Sequence, residues 1–274
     1  MGEVFFGLPE NLARAVVREM GLRGAVETGT HLGDSAVKLR EFVPEVWTVE
    51  LSEAYVERAR ERHRDADGVH FLQGSSDVVL RELAPTFTDP MLYWLDAHWC
   101  EVDTAGSDRQ CPVLGEIAAL DEAPSAADSV ILIDDARFFL GAPWPTYRRE
   151  DWPTFMQIAD ALRARHPRYV TTIQDVIVAG PPHVQGVVET YWQGLVFGRL
   201  MSDREWLHNE KERLLRETEA AAERENQLRQ RATSLENALA REWSPTPLIA
   251  ARRMVKALTP APLWTAVRRR RGTR

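Results

Sequence analysis

The sequence predicts an α/β domain on a mostly parallel sheet, with a hairpin closing one edge, an antiparallel last strand and a long helix after it, and three observations carry this. Five short apolar runs between residues 25 and 133 alternate with stretches of helical periodicity. Each parallel strand needs a crossover to reach the next, so the alternation implies helices on both faces of the sheet. Two extended runs between residues 169 and 198 have no helical stretch between them, which suits an antiparallel hairpin. From residue 200 onward an apolar residue recurs every seven positions, the repeat of a long helix with a seam.

Taken in order, Pro9 to Met20 places Leu12, Val16, Val17 and Met20 on one helical face, with Pro9 at the start and Gly21 at the stop. Strands follow at Ala25-Val26, Val46–Val49, Val69–Leu72, Met91–Leu95 and Val130–Ile133, with helices expected around 34–42, 52–64, 75–84 and 112–121. Asp151 to Arg165 reads as another helix. The runs 169–179 and 187–198, parted by Gly180-Pro181-Pro182, then read as the closing hairpin. One domain thus covers 1–199, long enough to bury about 70% of its unfolded surface. In 200–243 the residues Leu200, Leu207, Leu214, Ala221, Leu228 and Leu235 form one seam row, and Glu212/Arg216 and Glu225/Arg229 are favourable i,i+4 pairs. The second row, Arg204, Lys211, Thr218, Glu225, Ala232 and Leu239, is mostly polar. Two readings stay open for this helix, a self-pairing coiled coil that makes a homo-oligomer and a single helix docked on the domain. Pro245 and Pro247 end it, and 244–274 forms a basic amphipathic tail.

With 44% apolar and 27% charged residues, the chain is neither collagen-like, mucin-like nor wholly disordered. Its net charge of −7 averages unlike parts: 244–274 holds eight basic residues and no acid, leaving 26 basic against 41 acidic residues before it. Met1 to Phe6 has no basic region ahead of an apolar stretch and no Ser or Thr at position 6, and no apolar run reaches the roughly 18 residues of a membrane span. Cys100 and Cys111 are too few for a disulfide framework. The expected setting is the cytoplasm, with the tail meeting the anionic inner face of the membrane through its arginines and Trp264. A solvated tail that binds polyanions nonspecifically is the alternative. Nucleic acid is not the expected partner, because the domain itself is acidic.

The residues that could carry chemistry sit where predicted strands end. The first turn reads Val26-Glu27-Thr28-Gly29-Thr30-His31-Leu32-Gly33-Asp34-Ser35. Its glycines let backbone and ligand approach, and the following helix start offers free N–H groups. It lacks the third glycine of a dinucleotide fingerprint. Glu50 ends the second strand, where a carboxylate can accept both hydroxyls of a ribose; the bland reading is a tight turn and an exposed acid. Gln73-Gly74-Ser75-Ser76-Asp77 ends the third with small polar residues suited to an adenine edge, or to helix capping. The fourth ends in Leu95-Asp96-Ala97-His98 and the fifth in Ile133-Asp134-Asp135-Ala136-Arg137. In an open α/β sheet these acids converge beyond the strand ends. Three clustered carboxylates repel unless a cation compensates, and a hard divalent ion, Mg²⁺, is the economical one. A capping role for Asp134 or Asp135 is the competing explanation.

Together these segments resemble a class I S-adenosylmethionine-dependent methyltransferase, closest to the metal-dependent O-methyltransferases of the macrocin and catechol type, over roughly residues 20–140. The resemblance implies a Rossmann-like, seven-stranded sheet with an antiparallel last strand. It implies that Glu27, Thr28, Gly29, Gly33 and Ser35 surround the methionine part of the cofactor, with Thr30 in the same cofactor-binding turn. Glu50 would hold the ribose, and Ser75 and Ser76 would lie by the adenine. Asp96, Asp134 and Asp135 match the family's metal acids. His98 stands where macrocin-type enzymes carry a catalytic Asp.

Methyl transfer needs an aligned, deprotonated oxygen. A metal lowers the pKa of a bound hydroxyl, and His98, titrating near neutrality, would take the proton. The competing role for His98 is packing beside a metal site. Trp99 to Gln110 would form a substrate-selecting loop. A zinc site of His98, Cys100 and Cys111 lacks a suitably spaced fourth ligand. The expected acceptor is a hydroxyl of a sugar, glycan or related natural product, suggested by the stalk and tail alone. An NAD-dependent oxidoreductase and a catalytically silent scaffold of the same fold are the rivals.

Overall fold

The computed structural model describes residues 7–99, 106, 109–141 and 147–242. Cys100 and most of the expected 99–110 loop lie outside the described residues, as does the basic tail 244–274. The chain divides into two units, Met1–Gly198 and Arg199–Arg274.

The first unit is a seven-stranded sheet flanked by helices. Its strands are β1 (Gly24–Thr28), β2 (Val46–Glu50), β3 (Val69–Gln73), β4 (Met91–Leu95), β5 (Val130–Ile133), β6 (Tyr169–Ile173) and β7 (Val176–Gly180). The order is β3-β2-β1-β4-β5-β7-β6, with β7 antiparallel to both neighbours and the β1–β5 pairings parallel. All five strands read from the sequence are present, and the sheet is Rossmann-like with an antiparallel last strand. Helices α1 (Glu10–Met20), α2 (Asp34–Arg40), α3 (Glu53–Arg62), α4 (Ser76–Leu83), α5 (Val113–Leu120), α6 (Ala136–Leu140) and α7 (Phe155–Arg163) follow in turn.

Period-two alternation along the inner strands divides their apolar side chains between two cores. Tyr93, Leu95, Ile131, Ile133 and Ile177 pack with α4, α5 and α7 on one face. Leu92, Trp94, Val130, Leu132 and Val178 pack with α1 and α2 on the other. Inner strands buried on both faces read as unbroken apolar runs, which is why they were legible.

The closing hairpin departs from the expectation. It lies wholly within 169–180, turning at Gln174 and Asp175, whose φ angles are +50° and +69°. Two successive left-handed residues make the turn that matches strand twist, but glycine or asparagine usually marks it. Residues 187–198, expected as an extended run, are helical instead, within α8 (Val184–Glu242). Val184 and Val188 are buried and Tyr191 packs beside them, a spacing of four and three residues that serves a helix.

A buried ion pair ties the hairpin side to α5. Arg168 lies 2.7 Å from Asp121, with side chains 1% and 3% exposed, and donates to the carbonyls of Leu162 and Ala126. Removing one partner strands the other charge in the core. Arg168→Met is expected to cost about 3–5 kcal/mol, read as a fall in the urea midpoint; Arg168→Met with Asp121→Leu should recover most of it.

The second unit, from Arg199, is helical through Glu242. Leu200, Leu207, Leu214, Leu228 and Leu235 are 49–68% exposed. The expected Glu225–Arg229 pair forms at 2.7 Å, and Arg213 bridges Glu210 and Glu217. No helix among the described residues is long and apolar enough to cross a membrane.

Candidate active site

The parallel pairing continues one residue past the strand ends and lines up the predicted residues in a row. Gly74 N–H donates to the Glu50 carbonyl, Gly29 to Val49, Asp96 to Thr28 and Asp134 to Leu95, at 2.8–3.1 Å. The residues beyond β1 to β5 are thereby brought to the carboxyl edge of the sheet, where open α/β folds bind ligands.

At the β1 end, Gly29 has φ +86°, and a Cβ there would sit 2.3 Å from the Asp96 carbonyl oxygen. The crossing of two backbones therefore demands glycine. Gly33, at φ +79°, packs its α-carbon toward the rings of His63 and Phe71. Between them, buried Thr30 donates to Thr48 at 2.5 Å, and Thr48 donates to Glu27 Oε2 at 2.6 Å. Glu27 is wholly buried, which pushes its carboxyl up to about 7; the hydroxyls of Ser35 and Thr48 counter this in part, and Glu50 adds to it. Its Oε1 has no hydrogen-bond partner among the described residues. A buried, half-satisfied carboxylate is costly unless something cationic or a donor meets it.

Glu50 accepts from the backbone N–H of His31 and of Ser52, both at 2.9 Å. A carboxylate has about four acceptor positions, so two remain for ligand hydroxyls. Ser75 stands at the N-cap position of α4 and its hydroxyl donates to the Asp77 carboxylate at 2.7 Å, while Ser76 is buried at the first helical position. Arg109 reaches Asp77 at 2.8 Å, and with Ser75 it holds the Asp77 carboxyl below its ordinary value against the effect of burial.

His98, its side chain 7% exposed, links the acids. Its Nε2 lies 2.6 Å from Asp135 Oδ2 and its Nδ1 3.6 Å from Asp96 Oδ1. Burial would lower the imidazole pKa, but the Asp135 hydrogen bond and the charges of Asp96, Asp135 and Asp134 together lift it to about 9. This corrects the expectation of titration near neutrality: three carboxylates surround the ring. Burial lifts Asp96 well above the usual carboxylate range, with Asp134 and Asp135 adding to the rise and His98 opposing it. Burial, then repulsion from Asp135, pushes Asp134 up to about 7. Asp135 is instead held low, because His98 and Arg137 outweigh its burial.

Asp135 sits at φ +55°, in the left-handed region, and its second oxygen lies 2.5 Å from Arg137. Such strain in a side chain other than glycine is tolerated where surroundings over-determine it. Arg137 is also paired with Asp175, whose carboxylate accepts from the Arg137 backbone at 2.8 Å. The hairpin turn thus contributes a residue to the site.

These contacts bear on the metal. Asp135 spends both oxygens on His98 and Arg137, and Asp134 Oδ1 accepts the Asp135 backbone N–H at 2.8 Å. Among the described residues no group of three or more His, Cys, Asp or Glu is arranged to hold a metal ion. As placed, the three carboxylates are compensated by an imidazole and a guanidinium and do not fit a divalent cation.

Two features escaped the sequence reading. Glu116 on α5 is 1% exposed, its pKa raised by burial against the hydroxyls of Ser76 and Thr28, with Oε1 unpartnered. Its position between Val113 and Ile117 on an apolar helix face was the available signal. Beside His98 stand Phe138 and Trp152, with ring centroids at 6.1 and 5.6 Å, and Tyr147 packs on Trp152 and Trp99 at 5.3 Å. Trp152 also walls a cleft of about 320 Å³ with Arg109, Cys111, Leu114, Asp151 and Gln157. Burial pushes the Cys111 thiol up to about 12, so it is an inert packing group.

No family model matches the chain, and no curated protein matches it. Similar solved structures include the S-adenosylhomocysteine-bound methyltransferase PaMTH1 of Podospora anserina, at 19% identity over 62% of this chain and 76% of that one, with a TM-score of 0.46. The O-methyltransferase TomG of Streptomyces achromogenes, involved in tomaymycin synthesis and solved with S-adenosylmethionine, is similar at 16% identity, covering 64% and 80%, TM-score 0.47. The O-methyltransferase of Bacillus cereus with S-adenosylhomocysteine is similar at 17% identity over 63% of this chain and 80% of that one, TM-score 0.46.

Proposed function

We propose that this chain is an S-adenosylmethionine-dependent O-methyltransferase that acts on a hydroxyl of a sugar, glycan or related natural product. The observation that carries the reading is the row of strand-end groups running from Ser75 and Glu50 through Gly29 to Asp96 and His98. The residues present fit the cofactor: a buried Glu27 with a free oxygen suits a cationic methionyl group, Glu50 has acceptor positions left for a ribose, and Ser75 and Ser76 stand by the third strand for an adenine. When bound, the cofactor supplies an electrophilic methyl group.

The chain's own residues do the rest. Asp135 holds His98 by Nε2, leaving Nδ1 as the ring atom that takes a proton from the acceptor hydroxyl. Arg137 and Asp175 fix Asp135 in turn. The rings of Phe138, Tyr147 and Trp152 offer apolar faces against which a sugar or aryl ring can lie.

Magnesium assistance is the second reading, favoured by the raised pKa values of Asp96 and Asp134, whose repulsion a cation would relieve. It requires His98 or Arg137 to release Asp135. The test is transfer of labelled methyl from S-adenosylmethionine to a panel of saccharide acceptors, with and without EDTA. Label in product that persists in EDTA supports the proton-transfer reading; loss in EDTA restored by Mg²⁺ supports the metal reading. Absence of label from every acceptor, by a chain that binds the cofactor, favours the silent scaffold.

A further inference from the structure

We propose that the second unit is a pairing surface for a second copy of this chain, joined antiparallel about Glu217. The unit presents Leu200, Leu207, Leu214, Leu228 and Leu235 to solvent as one heptad row, a surface whose burial against a partner is favourable. Its charge pattern says which partner. Positions 203, 210, 217, 224 and 231 flank the leucine row on one side and read Asp, Glu, Glu, Arg, Arg. Acids thus lie 14 and 7 residues before Glu217, and arginines lie 7 and 14 residues after it.

A two-fold interface requires a surface complementary to its own reverse, and this flank has that property. Antiparallel pairing sets Asp203 against Arg231 of the second copy and Glu210 against Arg224, each twice by symmetry. Arg213, which bridges Glu210 and Glu217 on the same helix, projects from another position of the heptad. The polar second row also finds a place. Arg204 faces Leu228, Lys211 faces Ala221, Thr218 faces Leu214, Glu225 faces Leu207 and Ala232 faces Leu200 of the second copy, so long stems lie across apolar neighbours.

Parallel, in-register pairing fails on the same residues. It stacks Arg204, Lys211 and Glu225 each on its own copy and sets Arg224 against Arg229. The antiparallel arrangement carries one like-charge contact, Glu217 on itself.

That contact supplies the discriminating variant. In sedimentation velocity on the full chain we expect a reversible dimer that weakens as salt rises. Glu217→Gln should tighten it, whereas in a parallel pair Glu217 faces Ala222 and the change is silent. Asp203→Arg with Glu210→Arg should weaken the dimer about tenfold or more, and adding Arg224→Glu with Arg231→Glu should restore it. Circular dichroism of each variant confirms that the helix is retained. A chain that stays monomeric at its highest soluble concentration overturns the proposal. So does a dimer indifferent to the double charge reversal, or a fourfold variant no tighter than the double one.

Discussion

Replacing His98 with alanine is expected to lower turnover by about 100- to 10,000-fold while leaving S-adenosylhomocysteine affinity within a few-fold of the native value. The size follows from the role proposed for the ring, acceptance of the hydroxyl proton, with its two nitrogens facing Asp135 and Asp96. The pH profile carries the sharper signature. Because surrounding carboxylates hold the imidazolium to about 9, most of the ring is charged at pH 7.5 and only the small neutral fraction can accept a proton. Native turnover should therefore rise roughly tenfold per pH unit below the break and level off near 9, and His98→Ala should lose that break. Turnover in the variant equal to the native rate at pH 7.5 would remove His98 from the mechanism. A residual rate with unchanged pH slope would assign the titration to Asp134 or Asp96 instead.

The second large effect is on folding and binding together. Gly29→Ala forces an L side chain to φ +86° and puts its Cβ 2.3 Å from a backbone carbonyl of the neighbouring strand. The left-handed conformation alone costs about 1–2 kcal/mol, and the overlap is with main chain that cannot swing aside. A total loss of about 3–4 kcal/mol is expected, seen as a lower urea midpoint, with S-adenosylhomocysteine binding abolished because the β1 and β4 ends must part. Gly33→Ala is the internal comparison. It meets side chains and no backbone, the His63 and Phe71 rings at 3.0 Å and the Ala59 Cβ at 3.4 Å, so a loss of about 1–2 kcal/mol suffices. Equal losses at the two positions would contradict the view that backbone crossing, and not φ alone, fixes Gly29.

Particular residues show why some of this was legible and some was not. β1, β4 and β5 are buried on both faces, whereas β2 is partly exposed and β3, at the sheet edge, has no fully buried residue and is marked by its apolar residues alone. Glu50, Asp96 and Asp134 stand at or just past the ends of such runs, and parallel pairing places those ends in one row. The Gln174-Asp175 turn was hidden, since Gln174 is not a usual left-handed residue and no glycine accompanies Asp175, and the extended run expected over 187–198 is helical. That one error concealed Asp175 as the partner of Arg137, a contact between residues 38 apart in the chain that no local pattern encodes. The same holds for His98: its type and place were readable, but its elevated pKa depends on which carboxylates the fold packs around it. Glu116 could have been noticed as an acid on an apolar helix face.

Calorimetric titration of the full chain with S-adenosylhomocysteine, beside a parallel titration with NAD, tests the central claim most directly. One saturable site is expected for S-adenosylhomocysteine and no heat for NAD. Glu50→Gln, which keeps the side-chain shape but loses the charge that accepts from two backbone N–H groups and is proposed to accept from a ribose, should weaken binding about 10- to 100-fold. No binding of S-adenosylhomocysteine by the folded chain, or binding of NAD at a site that Glu50→Gln weakens, would contradict the account.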